Sequence, residues 1–285
     1  MTNSNKKTLS IIGCGMVGNA VYHGMSPSFD IKIYDKYKSG YSTLEDTVKH
    51  SEFIFVCLPT PMDNNGKQDI SILTNTIKEI VNTAQTRKIL IIKSTIIPGT
   101  TRNFKNNYNE FGFVFNPEFL TARTNILDFI NQYRIILGSD NIEDLDKVEN
   151  LYRIRFPHTK IFKTGFEESE FVKYMNNCFY AVKISIMNEF YDMCKFLNIS
   201  YEEVRKLFLT DLRVTNSHTE VPGPDCFRGF GGLCFPKDIN ALAQWCKSNN
   251  LNCDMLEAAW KVNERVREDK DWYRIKGATT ENNFE

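Results

Sequence analysis

The sequence predicts an α/β fold: a doubly wound parallel sheet, followed by an all-α domain built on one long helix. Up to about Ile142, short apolar runs alternate with helical patterns, which is typical of βαβ units with helices on both faces of the sheet. Beyond Ile142 the pattern is helical, and Glu167 to Leu197 run without Gly or Pro. We therefore expect two domains, residues 1–164 and residues 165–285.

The individual elements follow from apolar spacing. Strands are expected at Leu9–Ile12, Ile31–Tyr34, Phe53–Cys57, Ile89–Lys93, Phe113–Phe115 and Arg134–Leu137, and a further segment, Thr159–Lys163, precedes the long helix. Helices are expected at Met16–Gly24, Ile70–Ala84, Thr101–Tyr108, Tyr201–Leu209, Pro236–Ser248 and Met255–Arg267, besides the long one and a short one after Ile142. The polar tail Gly277–Glu285 is expected to fray.

The long helix carries apolar residues three or four positions apart. Phe171, Met175, Phe179 and Ile186 are among them. At 1.5 Å per residue the helix is roughly 45 Å long, and helices of that length usually bridge two bodies or form a subunit interface. We expect a homodimer through this helix.

Composition excludes several classes of function. The 285 residues contain 35 Lys and Arg and 35 Asp and Glu, so the basic excess of a general nucleic-acid binder is missing. No apolar run approaches the ~20 residues that span a bilayer, and the N-terminus has no signal-peptide core, so we expect no membrane partner and a cytoplasmic location. The eight cysteines form no Cys-x-x-Cys pair and show no zinc spacing, so no metal site is expected.

A glycine-rich turn lies between the first strand and the first helix. In Gly13-Cys14-Gly15-Met16-Val17-Gly18, the glycines permit a tight turn, the approach of a pyrophosphate and close helix–strand packing. Asp35 ends the next strand, where its carboxylate can bind ribose hydroxyls and repel a 2′-phosphate. This arrangement predicts a dinucleotide site that favours NAD over NADP, although Lys36 and Lys38 lie close to Asp35 in sequence.

A second glycine-rich stretch leads to a cysteine. The run Gly229-Phe230-Gly231-Gly232-Leu233-Cys234-Phe235-Pro236-Lys237-Asp238 places Cys234 just before a helix that Pro236 can begin. A helix N-terminus and a nearby lysine both favour the thiolate. A structural helix start with a buried cysteine is the alternative interpretation.

Six ordered motifs resemble the UDP-glucose/GDP-mannose dehydrogenase family. They are the Gly13–Gly18 turn, Leu58-Pro59-Thr60-Pro61, Ser94-Thr95-Ile96-Ile97-Pro98-Gly99-Thr100, Asn116-Pro117-Glu118-Phe119-Leu120, the Lys173/Asn177 pair and the Cys234 run. The resemblance implies a Rossmann-type NAD domain followed by a helical domain like that of 6-phosphogluconate dehydrogenase.

The resemblance also implies an activity. Members oxidise the C6 alcohol of a nucleotide sugar such as UDP-glucose to a carboxylate with two NAD, through a cysteine thiohemiacetal and thioester. Cys234 would be the nucleophile, Lys173 and Asn177 would stabilise the substrate oxygen, and Glu118 would assist thioester hydrolysis with a water held by Thr95.

The residues implied by the resemblance fall into three groups. Catalytic roles fall to Cys234, Lys173, Asn177, Asp238, Glu118 and Thr95. Cofactor contacts fall to Gly13, Gly15, Met16, Val17, Gly18, Asp35, Pro59, Thr60 and Thr95. Substrate contacts fall to Glu118, Phe119, Leu120, Lys173, Asn177, Arg213, Phe230, Gly231 and Gly232, with Arg213 resembling an arginine that reaches the neighbouring subunit's sugar site.

Two departures from the family pattern stand out. Many members have a second glutamate four residues after the first, where this sequence has Ala122. Full-length members also continue into a third domain over the UDP group, so this chain resembles either a natural short form or a piece of a longer member. Arg228 and the loop from His218 to Asp225 are candidates to hold UDP.

Three other functions stay open at this point. The substrate could be another nucleotide sugar, such as GDP-mannose or a UDP-N-acetylhexosamine. The chain could be a two-electron hydroxyacid dehydrogenase of the 6-phosphogluconate type, which needs no cysteine nucleophile. It could also be a catalytically silent NAD-binding protein, an interpretation that only Ala122 encourages.

Overall fold

The computed structural model describes residues 6–281, which form one seven-stranded sheet and ten α-helices. The strands are β1 (Lys7–Ile12), β2 (Phe29–Tyr34), β3 (Phe53–Val56), β4 (Ile89–Ile92), β5 (Gly112–Phe115), β6 (Arg134–Gly138) and β7 (Lys160–Thr164). The helices are α1 (Met16–Met25), α2 (Leu44–His50), α3 (Ser71–Thr83), α4 (Thr100–Asn107), α5 (Asn125–Ile130), α6 (Ile142–Arg155), α7 (Phe166–Phe196), α8 (Tyr201–Phe208), α9 (Phe235–Ser248) and α10 (Asp254–Val266).

The sheet has the strand order β2-β1-β3-β4-β5-β6-β7. Strands β1 to β5 pair in parallel, and β1 lies between β2 and β3, which places a topological switch point at its carboxyl end. Strands β6 and β7 are parallel to each other, whereas β6 runs antiparallel to β5 through the pair Phe115 and Gly138. The predicted fold class is confirmed, with this one antiparallel pairing as a departure.

Both faces of the sheet are buried at its centre, because β3, β4 and β5 carry no polar or charged side chain. In β4, Ile89 and Ile91 belong to one core cluster while Leu90 and Ile92 belong to the other, and all four are fully buried. Successive side chains of a strand point to opposite faces, so a continuous apolar run builds two cores at once.

The described chain divides into two compact units. One contains the residues up to Thr60 together with Ile70–Lys173, and it holds the whole sheet. The other contains Pro61–Asp69 and the residues from Tyr174 onward, including most of α7 and helices α8 to α10. The domain boundary between residues 164 and 165 stays a prediction.

Most expected elements are confirmed to within one or two residues at their ends. Strand β7 and helices α2 and α5 were not assigned from the sequence. The expectation of a frayed tail is wrong for Ala278 and Thr279, because both are buried and Met62 N donates a hydrogen bond to Ala278 O at 3.0 Å. Residues 282–285 of that tail lie outside the described part.

Candidate active site

The glycine-rich turn lies between β1 and α1 as expected. Gly13 has φ +89°, and a Cβ there would lie 2.4 Å from Cys57 O. A Cβ on Gly18 would lie 1.9 Å from Gly13 O, so this third glycine lets α1 pack closely against the turn. A Cβ on Gly15 would meet nothing within 4 Å, and Gly15 caps α1 without a side-chain hydrogen bond.

Asp35 is held beside this turn. Its Oδ2 accepts a hydrogen bond from Cys14 N at 2.8 Å, and its Oδ1 accepts one from Tyr37 N at 3.0 Å. Lys38 Nζ donates to Cys14 O at 2.6 Å. A bound dinucleotide requires open space beside the turn, a helix N-terminus and a fixed carboxylate. All three are present here, at Gly15, α1 and Asp35, so these residues fit NAD.

The remaining predicted cofactor residues lie in the first turn of α1 or in the loops after β3 and β4. Met16 and Val17 form the first turn of α1. Pro59 and Thr60 follow β3, and Thr95 follows β4, so all three lie near the carboxyl edge of neighbouring strands. Thr60 Oγ1 donates to Thr95 O at 2.8 Å, which ties the two loops together.

Glu118 and Lys173 form a buried ion pair. Glu118 follows β5, Lys173 lies on the second turn of α7, and Lys173 Nζ lies 2.8 Å from Glu118 Oε1. Burial alone would raise the pKa of the Glu118 carboxyl, but the Lys173 ammonium, the hydrogen bond from Leu120 N and the Lys93 charge hold that pKa below its usual value. Glu118 is therefore held as an ionised carboxylate.

A second buried network lies behind this pair. Lys93 Nζ donates to Asn116 Oδ1 at 2.8 Å, Tyr152 Oη donates to the same oxygen, and Asn116 Nδ2 donates to Ile136 O. Burial lowers the pKa of Lys93 to about 8. Because Asn116 is two residues before Glu118, this network fixes the backbone that presents the carboxylate.

Phe119 and Leu120 take different positions. The guanidinium carbon of Arg134 lies 4.3 Å from the Phe119 ring centroid, and Lys173 Nζ lies 5.7 Å from it. Leu120 packs against the core cluster that includes β1. The predicted substrate contacts of both side chains remain predictions.

Cys234 is the N-cap residue of α9 and is half-buried. Asp238, one turn later, is buried, with Oδ2 accepting from Asn177 Nδ2 at 2.6 Å and Oδ1 paired with Lys237 Nζ. The structure thus joins Asn177 and Asp238 into one cluster on the turn that Cys234 begins. The Lys237 ammonium, expected to favour the thiolate, is itself compensated by Asp238.

The other cysteines differ from Cys234 in their surroundings. Cys14, Cys57, Cys178 and Cys194 are buried, and burial raises the pKa of Cys57 to about 12 and that of Cys178 still further. Cys57 and Cys178 therefore stay protonated and unreactive. Cys226, Cys246 and Cys253 are at least partly exposed.

The glycine-rich loop before Cys234 is tightly held. Phe230 is buried against Phe235 and Trp260, and its predicted substrate contact remains a prediction. Gly231 and Gly232 are half-buried, and Gly232 has φ +77°.

Arg213 stands apart from these groups. Its side chain is 90% exposed and bonds to Asp211. The structure brings Arg213 to none of the other predicted site residues, and its role at a neighbouring subunit's site remains a prediction.

Sequence reasoning did not identify Lys93, Tyr152 or Glu170. Glu170, on α7, accepts hydrogen bonds from Gly99 N at 2.6 Å and from Thr101 N at 2.8 Å, which caps α4 after the Thr95 loop. A lysine directly before Ser94 in an apolar strand was the only local signal for Lys93. Tyr152 and Glu170 carried no local signal.

Two structural findings concern residues 6–281 alone. Within this range no group of three or more His, Cys, Asp or Glu side chains could hold a metal ion. None of the helices in the same range is both long and apolar enough to cross a membrane.

NAD-dependent dehydrogenases typically have a glycine-rich dinucleotide turn at the switch point of a parallel sheet. This chain has such a turn, and a half-buried cysteine, Cys234, begins a helix in its helical part. Two models of one family match the chain, the NAD-binding domain over residues 32–155 and the central domain over residues 167–265. The chain belongs to the UDP-glucose/GDP-mannose dehydrogenase family.

Individual relatives agree with this assignment. The chain is 31% identical over 234 residues to the UDP-glucose 6-dehydrogenase of Rickettsia bellii, covering 80% of this chain and 52% of that protein. It therefore spans about half the length of the curated relatives that it matches.

Two solved structures have a similar fold. A UDP-glucose dehydrogenase from Pyrobaculum islandicum superposes with a TM-score of 0.81 at 24% identity, covering 93% of this chain and 69% of that one. A UDP-D-ManNAc dehydrogenase from Pyrococcus horikoshii gives 0.79 at 25% identity, covering 90% and 68%.

Proposed function

We propose that this chain oxidises the C6 alcohol of UDP-glucose to a carboxylate, giving UDP-glucuronate with the reduction of two NAD. The observation that carries the proposal is the buried pair of Glu118 and Lys173, which keeps a carboxylate ionised in a family whose members act on nucleotide sugars. When bound, NAD accepts one hydride at each of the two oxidations.

The first oxidation needs a partner for the substrate oxygen. Lys173 and Asn177 lie four residues apart on α7, which places both on the same side of the helix. We assign them the hydrogen bonds that stabilise the negative charge developing on the C6 oxygen as its proton passes to solvent. The carbon loses a hydride, and the product of this step is an aldehyde.

Cys234 then forms the covalent intermediate. Its sulfur adds to the aldehyde carbon, the carbonyl π bond breaks and the thiol proton passes to the oxygen, giving a thiohemiacetal that keeps the sugar bound between the two oxidations. Transfer of a second hydride to a second NAD and release of the hydroxyl proton to solvent convert it to a thioester. The half-buried position at the start of α9 suits this role better than the buried thiols elsewhere.

Hydrolysis completes the cycle. The Glu118 carboxylate takes a proton from a water that attacks the thioester carbonyl, the carbon–sulfur bond breaks, and Cys234 regains its proton. Thr95 is assigned the hydrogen bond that orients this water. Asp238 holds Asn177 through the 2.6 Å hydrogen bond.

We also propose that the chain forms a homodimer through α7. Met175, Phe179, Ile186, Phe190 and Met193 follow one another at intervals of three, four or seven residues and are all more than 40% exposed. An apolar stripe of this length on one helix face is typical of an interface. In such a dimer, Arg213 would serve the partner's sugar site.

The experiment is a substrate panel. Purified protein with NAD is offered UDP-glucose, GDP-mannose, UDP-N-acetylglucosamine and UDP-N-acetylmannosamine, and NADH is followed by absorbance. We expect the highest kcat/KM with UDP-glucose. A preference for one of the other sugars would overturn the assignment of UDP-glucose, and no NADH with any of them would favour the catalytically silent alternative.

A further inference from the structure

We propose that Asp271, supported by Arg267, is a positioning residue that holds the glycine-rich loop presenting Cys234. The proposal rests on the proposed role of Cys234 as nucleophile. It assigns a catalytic purpose to a segment that follows α10 and lies beyond residues 167–265, which match the family's central domain.

The direct contact is a hydrogen bond to the loop backbone. Gly232 N lies 3.0 Å from Asp271 Oδ1 and 3.1 Å from Oδ2, so this amide hydrogen is shared between both carboxylate oxygens. Gly232 has φ +77° and precedes Cys234 by two residues. The hydrogen bond to this amide therefore restrains the turn that leads to Cys234 and the start of α9.

Arg267 holds the carboxylate in place. Its side chain is 1% exposed, and it bonds Asp225 Oδ2 at 2.6 Å and Asp269 O at 2.7 Å while Nη2 lies 3.5 Å from Asp271 Oδ1. A buried guanidinium with several acceptors has little freedom to move. Asp271 therefore faces the loop from a rigid support.

The fit around Gly231 shows how close this support lies. A Cβ on Gly231 would lie 2.3 Å from Arg267 Nη2 and 2.3 Å from Asp271 Oδ1. Both groups thus pack directly against the loop backbone, and only glycine leaves them room.

The rest of the segment is anchored beside the same loop. Trp272, next to Asp271, is fully buried with Met62 and Ala278, and Leu233 packs against this cluster. Leu233 is the residue between Gly232 and Cys234. The segment thus contacts the loop through a polar group at Gly232 and an apolar one at Leu233.

The N-terminal end of the loop, at Phe230, is held by a residue within the range that matches the family's central domain, residues 167–265. Asn263, on α10, accepts from Phe230 N at 2.7 Å and donates to Phe230 O at 3.0 Å. Without Asp271 the loop would keep this anchor but lose the one nearer to Cys234. Since a displacement of about 1 Å can cost about a hundredfold in rate, loss of the nearer anchor should lower turnover more than binding.

The test compares Asp271→Ala, Asp271→Asn and Asp269→Ala. The asparagine keeps an oxygen that accepts from Gly232 N. Asp269 is the matched control, since its side chain bonds Arg274 at 2.6 Å and has no hydrogen bond to the loop. The readouts are kcat and KM with nucleotide sugar and NAD, together with amide hydrogen exchange of the peptide spanning residues 229–235.

We expect Asp271→Ala to lower kcat about ten- to a hundredfold with the KM for NAD within about twofold of wild type, and to speed exchange in this peptide about tenfold or more. Asp271→Asn should recover most of both properties, and Asp269→Ala should match wild type. Unchanged exchange in Asp271→Ala, or faster exchange with unchanged kcat, would overturn the proposal.

Failure of the proposed function gives a different pattern. A wild-type protein that reduces no NAD with any nucleotide sugar would refute the proposed function. The exchange measurement needs no substrate, so it still decides whether Asp271 positions the loop.

Discussion

Lys173 Nζ and Glu118 Oε1 lie 2.8 Å apart, with the two side chains 4% and 5% exposed. Glu118 Oε2 also accepts a hydrogen bond from Leu120 N at 2.7 Å. Buried ion pairs contribute little to stability compared with apolar residues of the same size, because both charges must leave water. We therefore interpret this pair as a functional arrangement, in which Lys173 keeps Glu118 ionised.

Glu118→Gln tests this interpretation. The amide has nearly the same shape but cannot accept the proton of an attacking water, so hydrolysis of the thioester should become rate-limiting. We expect a burst of two NADH per Cys234, followed by turnover lowered about a hundredfold or more. Rapid mixing with UDP-glucose and NAD measures the burst, and intact-protein mass spectrometry detects the acyl group.

The matched control is Glu168→Gln, which removes an exposed carboxylate two residues into α7. It should turn over like the wild type. A Glu118→Gln protein that also turns over like the wild type, without an acyl adduct, would remove Glu118 from hydrolysis.

Substitutions of Gly15 and Gly18 in the dinucleotide turn should have different effects, one on NAD binding and the other on stability. Gly18→Ala places a Cβ against Gly13 O and should lower the free energy of unfolding by roughly 1–3 kcal/mol. Gly15→Ala meets no protein atom within 4 Å and should leave stability unchanged, yet it should weaken NAD binding about tenfold by filling the space for the pyrophosphate.

Urea unfolding and calorimetric titration with NAD measure the two effects. Normal NAD affinity in a well-folded Gly15→Ala protein would contradict the placement of the pyrophosphate at this turn.

Glu170 predicts a pH-dependent stability. Burial raises the pKa of its carboxyl to about 7, against an ordinary value of 4.5. Between these two values the folded state binds more protons than the unfolded state, so the free energy of unfolding falls as pH rises from 4.5 to 7. The contribution lost over this window is on the order of 3 kcal/mol.

Glu170→Gln should lack this part of the pH dependence, because an amide does not titrate. Urea unfolding at several pH values between 4.5 and 7.5 measures the slope, with Glu168→Gln as the control that keeps it. Equal slopes in wild type and Glu170→Gln would show that Glu170 ionises normally in the folded protein.

The dimer proposal predicts an effect of charge on the α7 stripe. A Phe179→Glu, Ile186→Glu double variant should be monomeric, because two carboxylates would have to be buried in the interface. Light scattering after size exclusion measures the mass. Met255→Glu, which alters an exposed methionine on α10, should leave the dimer intact. A monomeric wild type would refute the proposal.

Much of the fold was predictable because its signals are local. Strand β4 follows from the apolar run Ile89–Ile92, and α7 follows from a long stretch without Gly or Pro. Neither required knowledge of the rest of the chain. Helix α2 was missed because it is only seven residues long, although Thr43 Oγ1 accepts from Asp46 N as a typical N-cap. The direction of β6 depends on how the chain returns to the sheet, and no short pattern encodes that.

The position of a candidate site residue in the fold was predictable where that residue stands in a motif. Cys234, Glu118 and Asp35 belong to recognisable runs, and the structure places each at the end of a strand or the start of a helix. The groups that support them come from distant parts of the sequence. Asp271 binds an amide 39 residues earlier, and Tyr152 bonds Asn116 across 36 residues. Such partners become visible only in the folded chain.

The central claim is a four-electron oxidation through Cys234, and the number of NADH formed per sugar consumed tests it most directly. The measurement compares wild type with Cys234→Ser, and with Cys226→Ser as an exposed cysteine control. We predict two NADH per UDP-glucose and a carboxylate product for wild type and Cys226→Ser, and no carboxylate product for Cys234→Ser. One NADH per sugar in the wild type, or two in Cys234→Ser, would contradict this mechanism.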